Sequence, residues 1–367
     1  MTQNITLRPE EKAMLSLRAL YASYGYTPFK MTKFEEYDLY VRNKNFLLSD
    51  HIITFTDTDG KLMALKPDVT LSIVKNSKDI PDACHKVYYS ENVYRVSGKS
   101  GSYREIMQTG LECIGDVDTY CLSEVLTLAV KSLEELSADS ILAVSDLDLV
   151  LEAIALTGAS LSAQKKLLTC VGEKNRHGID EILKEEGIDT EAGSLLKALL
   201  ALSGTPDEVF ATLSSLNLPE SMVALTERFA SLLRLVPKER VRIDFSTVSD
   251  FRYYNGIVFK GFVKNIPTDI LSGGQYDKLL QKMGRESNAV GFAVYLDLLE
   301  DLNRTKGEYD YDTVILYNNE SDPRTVAETA EALVKQGERV IAVKSVPAGV
   351  ICRHTVVVEK SEVKTLV

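Results

Sequence analysis

The chain has few of the residues that mark a disulfide framework, a zinc site or a catalytic histidine. Its five cysteines are an odd number and include no C-x-x-C pair, which argues against a disulfide framework or a zinc site. We therefore expect reduced thiols in a cytoplasmic protein. The four histidines stand singly, with no metal-ligand or nucleophile partner nearby in the sequence. None is predicted to be catalytic or to bind a metal.

Long hydrophobic runs and an excess of positive charge are also lacking. No apolar run reaches the roughly 18 residues of a membrane span, and the start of the chain lacks the basic and apolar segments of a signal peptide. The sequence therefore predicts no membrane contact. Its net charge of -11, from 42 Lys and Arg against 53 Asp and Glu, disfavours a broad nucleic-acid surface, although a local basic patch can exist within an acidic total.

The length and composition predict one large domain with smaller additions. A chain of 367 residues with 45% hydrophobic content can build more than one core. Residues 151–236 are rich in Leu, Ala, Lys and Glu, with glycines as breaks, and predict a helical insertion. Residues 306–367 alternate strand and helix patterns and predict a small α/β module. The core is then discontinuous, comprising 1–150 and 237–305.

Local patterns predict several elements. Apolar residues at helical spacing after Pro9 predict a helix that ends near Gly25. An Asp-Gly pair at 59–60 predicts a turn between two strands. Alternation from Val241, followed by a turn at 249–251 and a second strand at 257–263, predicts a hairpin.

The residues from 91 to 115 organise the rest of the chain. They are interpreted as a strand, a loop and a second strand, with Gln108, Gly110 and Glu112 on one face and Leu111 and Cys113 on the other. Two polar side chains beside a glycine suit a small zwitterionic ligand that forms hydrogen bonds. A solvated face of an antiparallel sheet explains the same pattern.

This stretch resembles motif 2 of class II aminoacyl-tRNA synthetases in its histidyl version. Arg95 stands at the strand end, and the string REIMQTGLE at 104–112 is similar to Arg-Gln-Phe-His-Gln-x-Gly-x-Glu. The strings LKPDVT at 65–70, YYNG at 253–256 and SGGQYD at 272–277 resemble further histidyl-synthetase patterns. The resemblance implies an α+β fold: a class II synthetase-like antiparallel sheet flanked by helices, with the helical insertion and the small C-terminal α/β module.

The resemblance also implies a histidine pocket. Glu112 and Tyr254 would face the imidazole and Arg95 the carboxylate of histidine. Three residues, Asp68, Thr70 and Gln108, would bind the amino group. The whole set implied by the resemblance is Asp68, Thr70, Arg95, Gln108, Glu112, Tyr253 and Tyr254. From the residues alone, Asp68 and Thr70 fit a helix cap equally well, because they precede the apolar run LSIV.

The cations that adenylate chemistry needs are missing from these motifs. Motif 3 of the family ends on an arginine that holds ATP; here that position is Leu298, and Tyr295 stands at the position of a small glycine. The motif 2 glutamate position holds Ser97, and the catalytic arginine that precedes the Tyr pair is replaced by Ser249, with Arg252 nearby. Each lost charge-stabilising group costs about two orders of magnitude or more in rate, so the resemblance predicts no catalysis and no cofactor.

A synthetase-like body without ATP chemistry resembles the regulatory subunits of ATP phosphoribosyltransferase. That resemblance implies a short-form catalytic subunit as partner in the first step of histidine biosynthesis, with L-histidine as the feedback effector. It also implies a dimer within a hetero-oligomer, although Thr32 stands where motif 1 has its interface proline. Two alternatives stay open: a divergent histidyl-tRNA synthetase, and a stand-alone histidine-sensing paralog.

Overall fold

The computed structural model describes residues 7–43, 52–79, 82–96, 101–188, 191–248, 253–299 and 309–366. Residues 9–300 form one compact unit, and the C-terminal residues from 301 belong to a second. No helix among these ranges is long and apolar enough to cross a bilayer.

A nine-stranded sheet runs through the first unit. Its strands, in chain order, are β1 (Thr27–Pro28), β5 (Cys84–Val96), β6 (Tyr103–Gly115), β7 (Ser140–Asp146), β8 (Ser203–Gly204), β9 (Val241–Asp244), β10 (Asn255–Val263), β11 (Leu271–Gln275) and β12 (Asn288–Tyr295). In space they follow the order β1-β5-β6-β12-β11-β10-β7-β9-β8. The central pairings, from β5 through β12 and β11 to β10 and β7, are all antiparallel.

A second sheet of three strands contains β2 (Phe34–Glu36), β3 (Thr54–Thr56) and β4 (Leu62–Leu65), in the order β2-β4-β3. The predicted turn between β3 and β4 is confirmed, because the Gly60 N–H donates to the Asp57 carbonyl at 3.2 Å and Gly60 has φ +81°, a value that favours glycine. Two short helices complete this part: α2 (Tyr37–Arg42) and α3 (Thr70–Asn76).

Helices cover the large sheet and fill the central part of the sequence. They are α1 (Pro9–Ser23), α4 (Thr119–Leu136), α5 (Leu147–Ala155), α6 (Leu161–Gly172), α7 (Arg176–Glu185), α8 (Glu191–Ala201), α9 (Pro206–Ser215), α10 (Glu220–Leu233) and α11 (Asp277–Lys282). The predicted first helix is confirmed: Leu17 and Tyr21 of α1 are fully buried, and the Tyr21 hydroxyl lies 3.0 Å from Ser132 Oγ of α4.

The predicted hairpin from Val241 is wrong. β7 lies between the two strands, pairing in parallel with β9 and antiparallel with β10. The alternation in Val241, Ile243 and Phe245 correctly marks a buried face, since all three are at most 1% exposed. Period-two alternation identifies a strand but does not identify its neighbour, and the predicted turn at 249–251 lies outside the described residues.

The second unit is a small α/β module. It contains β13 (Tyr311–Tyr317), α12 (Pro323–Lys335), β14 (Val340–Val343), β15 (Cys352–Glu359) and β16 (Glu362–Leu366). β14, β13 and β15 are parallel, and β16 adds an antiparallel edge strand that the sequence did not predict. α12 begins at a Pro after Asp322, whose carboxylate accepts from the Arg324 and Thr325 N–H groups.

Candidate functional site

All seven predicted site residues line one pocket in the first unit. They come from three places: the segment entering α3, the paired strands β5 and β6, and the residues just before β10. Strand β6 contributes Gln108 and Glu112, which are 3% and 2% exposed. This face of the sheet is therefore buried rather than solvated, so the alternative of a solvated sheet face is wrong.

The Glu112 carboxyl lies at the base of the pocket between two hydroxyl donors. Thr70 Oγ1 donates to Glu112 Oε1 at 2.8 Å, and the Tyr276 hydroxyl donates to Oε2 at 2.6 Å. Burial raises the pKa of Glu112 from 4.5 to about 8, against the opposing effect of these hydrogen bonds, and the nearby Asp68 charge raises it further. A carboxyl of this kind is largely protonated at neutral pH and can donate as well as accept.

Asp68 has two roles in this structure. Its Oδ1 accepts from the Leu71 N–H at 2.9 Å in the first turn of α3, as a capping side chain does, although the N-cap residue of α3 is Val69 and Thr70 lies within the helix. The same side chain lines the pocket. Burial raises the pKa of Asp68, while the Leu71 N–H and the positive charge of Arg95 favour its ionised form. Capping and ligand contact are therefore compatible, because a carboxylate has two oxygens.

Arg95 supplies the positive charge that lines the pocket. Its Nε donates to the Pro67 carbonyl at 3.0 Å, which fixes the guanidinium beside the segment that contains Asp68. Burial raises the pKa of Tyr295, and the charge of Arg95 and its hydrogen bond to that side chain oppose the shift. Tyr295 and Arg95 therefore lie next to each other on the pocket wall.

Gln108 presents a buried donor that lacks a partner. Its Nε2 forms no hydrogen bond with any of the described residues, although its side chain is 3% exposed and lines the pocket. Leaving such a group unsatisfied costs about 1–3 kcal/mol. An acceptor in a bound ligand would remove this cost, and reversing the amide would present its oxygen to an ammonium group instead. This is the clearest sign that the pocket is built for a polar ligand.

Three tyrosines form the aromatic side of the pocket. The rings of Tyr253 and Tyr254 are 4.6 Å apart at 68°, and Tyr276 lies 5.7 Å from Tyr253. The first pair is edge-to-face and the second is tilted at 39°; aromatic contacts at these distances are favourable. The Tyr pair lies just before β10, which begins at Asn255.

Two glycines provide the space that these groups occupy. A Cβ at Gly291, the direct partner of Glu112 across β12 and β6, would lie 1.7 Å from Glu112 Oε2. A Cβ at Gly274 would lie 2.7 Å from the Tyr254 ring. Both positions require glycine because of close approach rather than backbone conformation.

The sequence missed several residues of the pocket. Further lining residues include Tyr89, Ser272, Tyr276, Gly291 and Tyr295. Tyr276 belongs to the SGGQYD string. That string resembles a pattern of the family and could have indicated Tyr276 as a pocket residue. The contribution of Gly291 depends on the register of two strands that are far apart in the sequence, so no local pattern indicates it.

A model of the histidyl-tRNA synthetase family matches residues 5–299. The chain belongs to this family. Curated relatives named ATP phosphoribosyltransferase regulatory subunit include the protein of Caldanaerobacter subterraneus, 29% identical over 334 residues (87% of this chain, 86% of the relative). Another is the protein of Clostridium kluyveri, 28% identical over 335 residues (88% and 85%).

Solved structures show the same fold. An ATP phosphoribosyltransferase regulatory subunit/histidyl-tRNA synthetase from Bacillus halodurans aligns with a TM-score of 0.71 at 23% identity, covering 93% of this chain and 90% of that one. A chain of the ATP phosphoribosyl transferase (HisG:HisZ) complex from Thermotoga maritima aligns with a TM-score of 0.61 at 21% identity, covering 78% and 97%. The predicted class II synthetase-like fold is thereby confirmed.

The position of the family's ATP-binding arginine holds a side chain that cannot pair with phosphate. Leu298 lies in a short 3-10 helix, Leu296–Leu298, directly after β12. The nearby Asp297 carboxylate pairs with Arg104 at 3.5 Å. Tyr295, at the position of the family's small glycine, lines the pocket, whereas Ser97, Ser249 and Arg252 lie outside the described residues.

Proposed function

We propose that this chain is the regulatory subunit of ATP phosphoribosyltransferase, and that it is required for the activity of a short-form catalytic subunit in the first step of histidine biosynthesis. The family assignment and the names of the relatives support this proposal. A leucine at the ATP-binding arginine position supports the absence of catalysis by the chain itself. We also propose self-association into a dimer within the hetero-oligomer.

We further propose that the pocket binds L-histidine and conveys feedback inhibition. The orphaned amide of Gln108 carries this proposal, because a buried donor without a partner calls for a ligand acceptor. Arg95 would pair with the carboxylate of histidine and Asp68 with its ammonium group, as charge-assisted hydrogen bonds. The imidazole would lie between the tyrosine rings and the Glu112 carboxyl, which can donate to or accept from a ring nitrogen.

Histidine bound here would regulate the complex if the active and inhibited arrangements differ in their affinity for it. The pocket is formed by elements from three separate parts of the chain. A ligand that contacts all of them restricts their motion relative to one another. The direction follows from linkage: if histidine inhibits the complex, the inhibited arrangement binds histidine more tightly.

The test combines transfer activity with binding. Phosphoribosyl transfer is measured with the catalytic subunit alone, with this chain added, and with L-histidine titrated into both. We expect activity only when this chain is present, one histidine bound per chain by calorimetry, and at least a tenfold weaker affinity in Gln108→Leu. Glu134→Gln, a surface change far from the pocket in sequence, serves as the matched control.

Other outcomes separate the alternatives. Pyrophosphate exchange dependent on histidine and ATP would refute the proposal in favour of a divergent synthetase. Histidine binding without any effect on transfer would support a stand-alone sensor instead. Unchanged affinity in Gln108→Leu would refute the pocket assignment alone, and leave the regulatory role to be judged by the transfer assay.

A further inference from the structure

Three thiols meet on the face of the large sheet opposite Glu112. Cys84 begins β5, Cys113 lies in β6, and Cys121 lies in the first turn of α4. Their sulfur atoms all lie within 4.8 Å of one another, and the Cys84 and Cys121 sulfurs are 3.8 Å apart. All three are free cysteines. The sequence predicted no metal site, because ligands at these separate positions have no recognisable spacing.

We propose that these three thiols bind one thiophilic divalent cation of the Zn²⁺ type. Tetrahedral zinc has Zn–S distances of about 2.3 Å, which place two coordinating sulfurs about 3.8 Å apart. The Cys84–Cys121 separation already has this value. The third sulfur requires at most about 1 Å of movement to reach the same spacing. Uptake of the cation displaces the three thiol protons to solvent and leaves three metal–thiolate bonds.

The surroundings of the cluster fit a negatively charged metal–thiolate centre. Three thiolates around a divalent cation carry a net charge of about -1. Lys86 is the direct cross-strand partner of Cys113, so its side chain lies on the same face of the sheet. Its ammonium group is paired with Glu124 Oε1 at 2.6 Å and is one quarter exposed, so it can act only as a partial counter-charge and is not a ligand.

Three protein ligands leave the fourth coordination position of the metal to another group, and the thiols differ in their access to solvent. Cys113 is fully buried and Cys121 is 8% exposed, whereas Cys84 is half-buried and provides access from solvent. The Cys84 sulfur donates to the Asp116 carbonyl at 3.0 Å. That oxygen, or a water molecule reaching past Cys84, can complete four coordination.

The test is titration of the reduced full-length chain under anaerobic conditions, with Cd²⁺ in one sample and with Zn²⁺ in another. We expect one equivalent of Cd²⁺ to produce the ultraviolet thiolate-to-cadmium charge-transfer band, one Zn²⁺ per chain by elemental analysis, and a rise of several degrees in the melting temperature. Cys84→Ala should weaken the affinity at least a hundredfold. Cys170→Ser and Cys352→Ser, at the remaining two cysteines, should bind normally.

Two results would overturn the proposal. One is the absence of the charge-transfer band in reduced, folded protein. The other is a band that forms in Cys84→Ala with the affinity of wild type, because the metal would then be held elsewhere. Cys113→Ser extends the test to the buried ligand, provided that its circular dichroism spectrum is native. If Cys113→Ser does not fold, Cys84→Ala still decides the question, because Cys84 is only half-buried. A Cys84–Cys121 disulfide in protein isolated from cells would likewise overturn the proposal, because it removes two ligands.

Discussion

Replacement of Glu112 by glutamine is expected to stabilise the protein at neutral and alkaline pH. The Glu112 carboxyl is 2% exposed, and burial raises its pKa from 4.5 to about 8. Glutamine has nearly the same shape. Its carbonyl can accept from Thr70, and its amide can donate to the Tyr276 oxygen, so both hydrogen-bond positions remain occupied.

The size of the effect follows from the two pKa values. Below pH 4.5 the Glu112 carboxyl is protonated in both the folded and the unfolded chain, and its titration contributes nothing. Between pH 4.5 and about 8 the unfolded chain releases this proton while the folded chain keeps it, so wild-type stability falls as pH rises. At about 1.4 kcal/mol for each pH unit, the loss reaches at most about 5 kcal/mol and becomes constant above pH 8.

The measurement is urea unfolding of wild type and Glu112→Gln at several pH values between 4.5 and 8.5, without ligand. We expect the difference in free energy of unfolding to grow with pH in favour of the variant. Glu134→Gln is the control, because that carboxylate forms a surface pair with Arg240 at 3.1 Å and is 47% exposed. It should change stability by less than about 1 kcal/mol. A difference for Glu112→Gln that is independent of pH, or that favours wild type at pH 8, would refute the reasoning.

Three further changes test the close packing at the site, a buried ion pair and a helix cap. Gly291→Ala places a Cβ 1.7 Å from the Glu112 carboxyl. It should lower the free energy of unfolding by about 1–3 kcal/mol, measured by thermal melts, and abolish histidine binding, measured by calorimetry. Arg228→Ala should cost about 2–3 kcal/mol in chemical unfolding, because Arg228 pairs at 2.9 Å with the fully buried Asp146 and its removal leaves that carboxylate with the Asp148 and Leu149 N–H groups but no opposing charge. Thr205→Ala removes the capping box of α9 and should cost about 1 kcal/mol at neutral pH, without any change in ligand affinity.

The sequence predicted those site residues that lie together in short motifs. Gln108 and Glu112 are four residues apart in one strand, so period-two alternation places them on the same face. Asp68 and Thr70 lie at the start of one helix. The local patterns alone do not show that these segments meet in one pocket. The family resemblance predicted that they do.

Strand order and register could not be predicted in the same way. The error at β9 and β10 arose because adjacent strands in the sequence were assumed to pair, whereas β7 lies between them. The roles of Gly291 and of the cluster of Cys84, Cys113 and Cys121 depend on register between separated segments. Alternation is equally satisfied by several strand orders, and only the packing of the whole sheet selects one.

The charges of the pocket are compatible with the proposed recognition of an amino acid without nucleotide chemistry. Burial raises the pKa of Glu112 to about 8, whereas the charge of Arg95 favours the ionised form of Asp68; an ionised Asp68 and Arg95 would match the ammonium and carboxylate of a zwitterionic amino acid. The neutral Glu112 carboxyl is then available for a neutral imidazole. None of these groups depends on the position of Leu298, which follows β12 in a separate short helix. Loss of the phosphate-binding cation therefore leaves the charge balance of the pocket unchanged, whereas loss of Arg95 would leave Asp68 without an opposing charge and destabilise its ionised form.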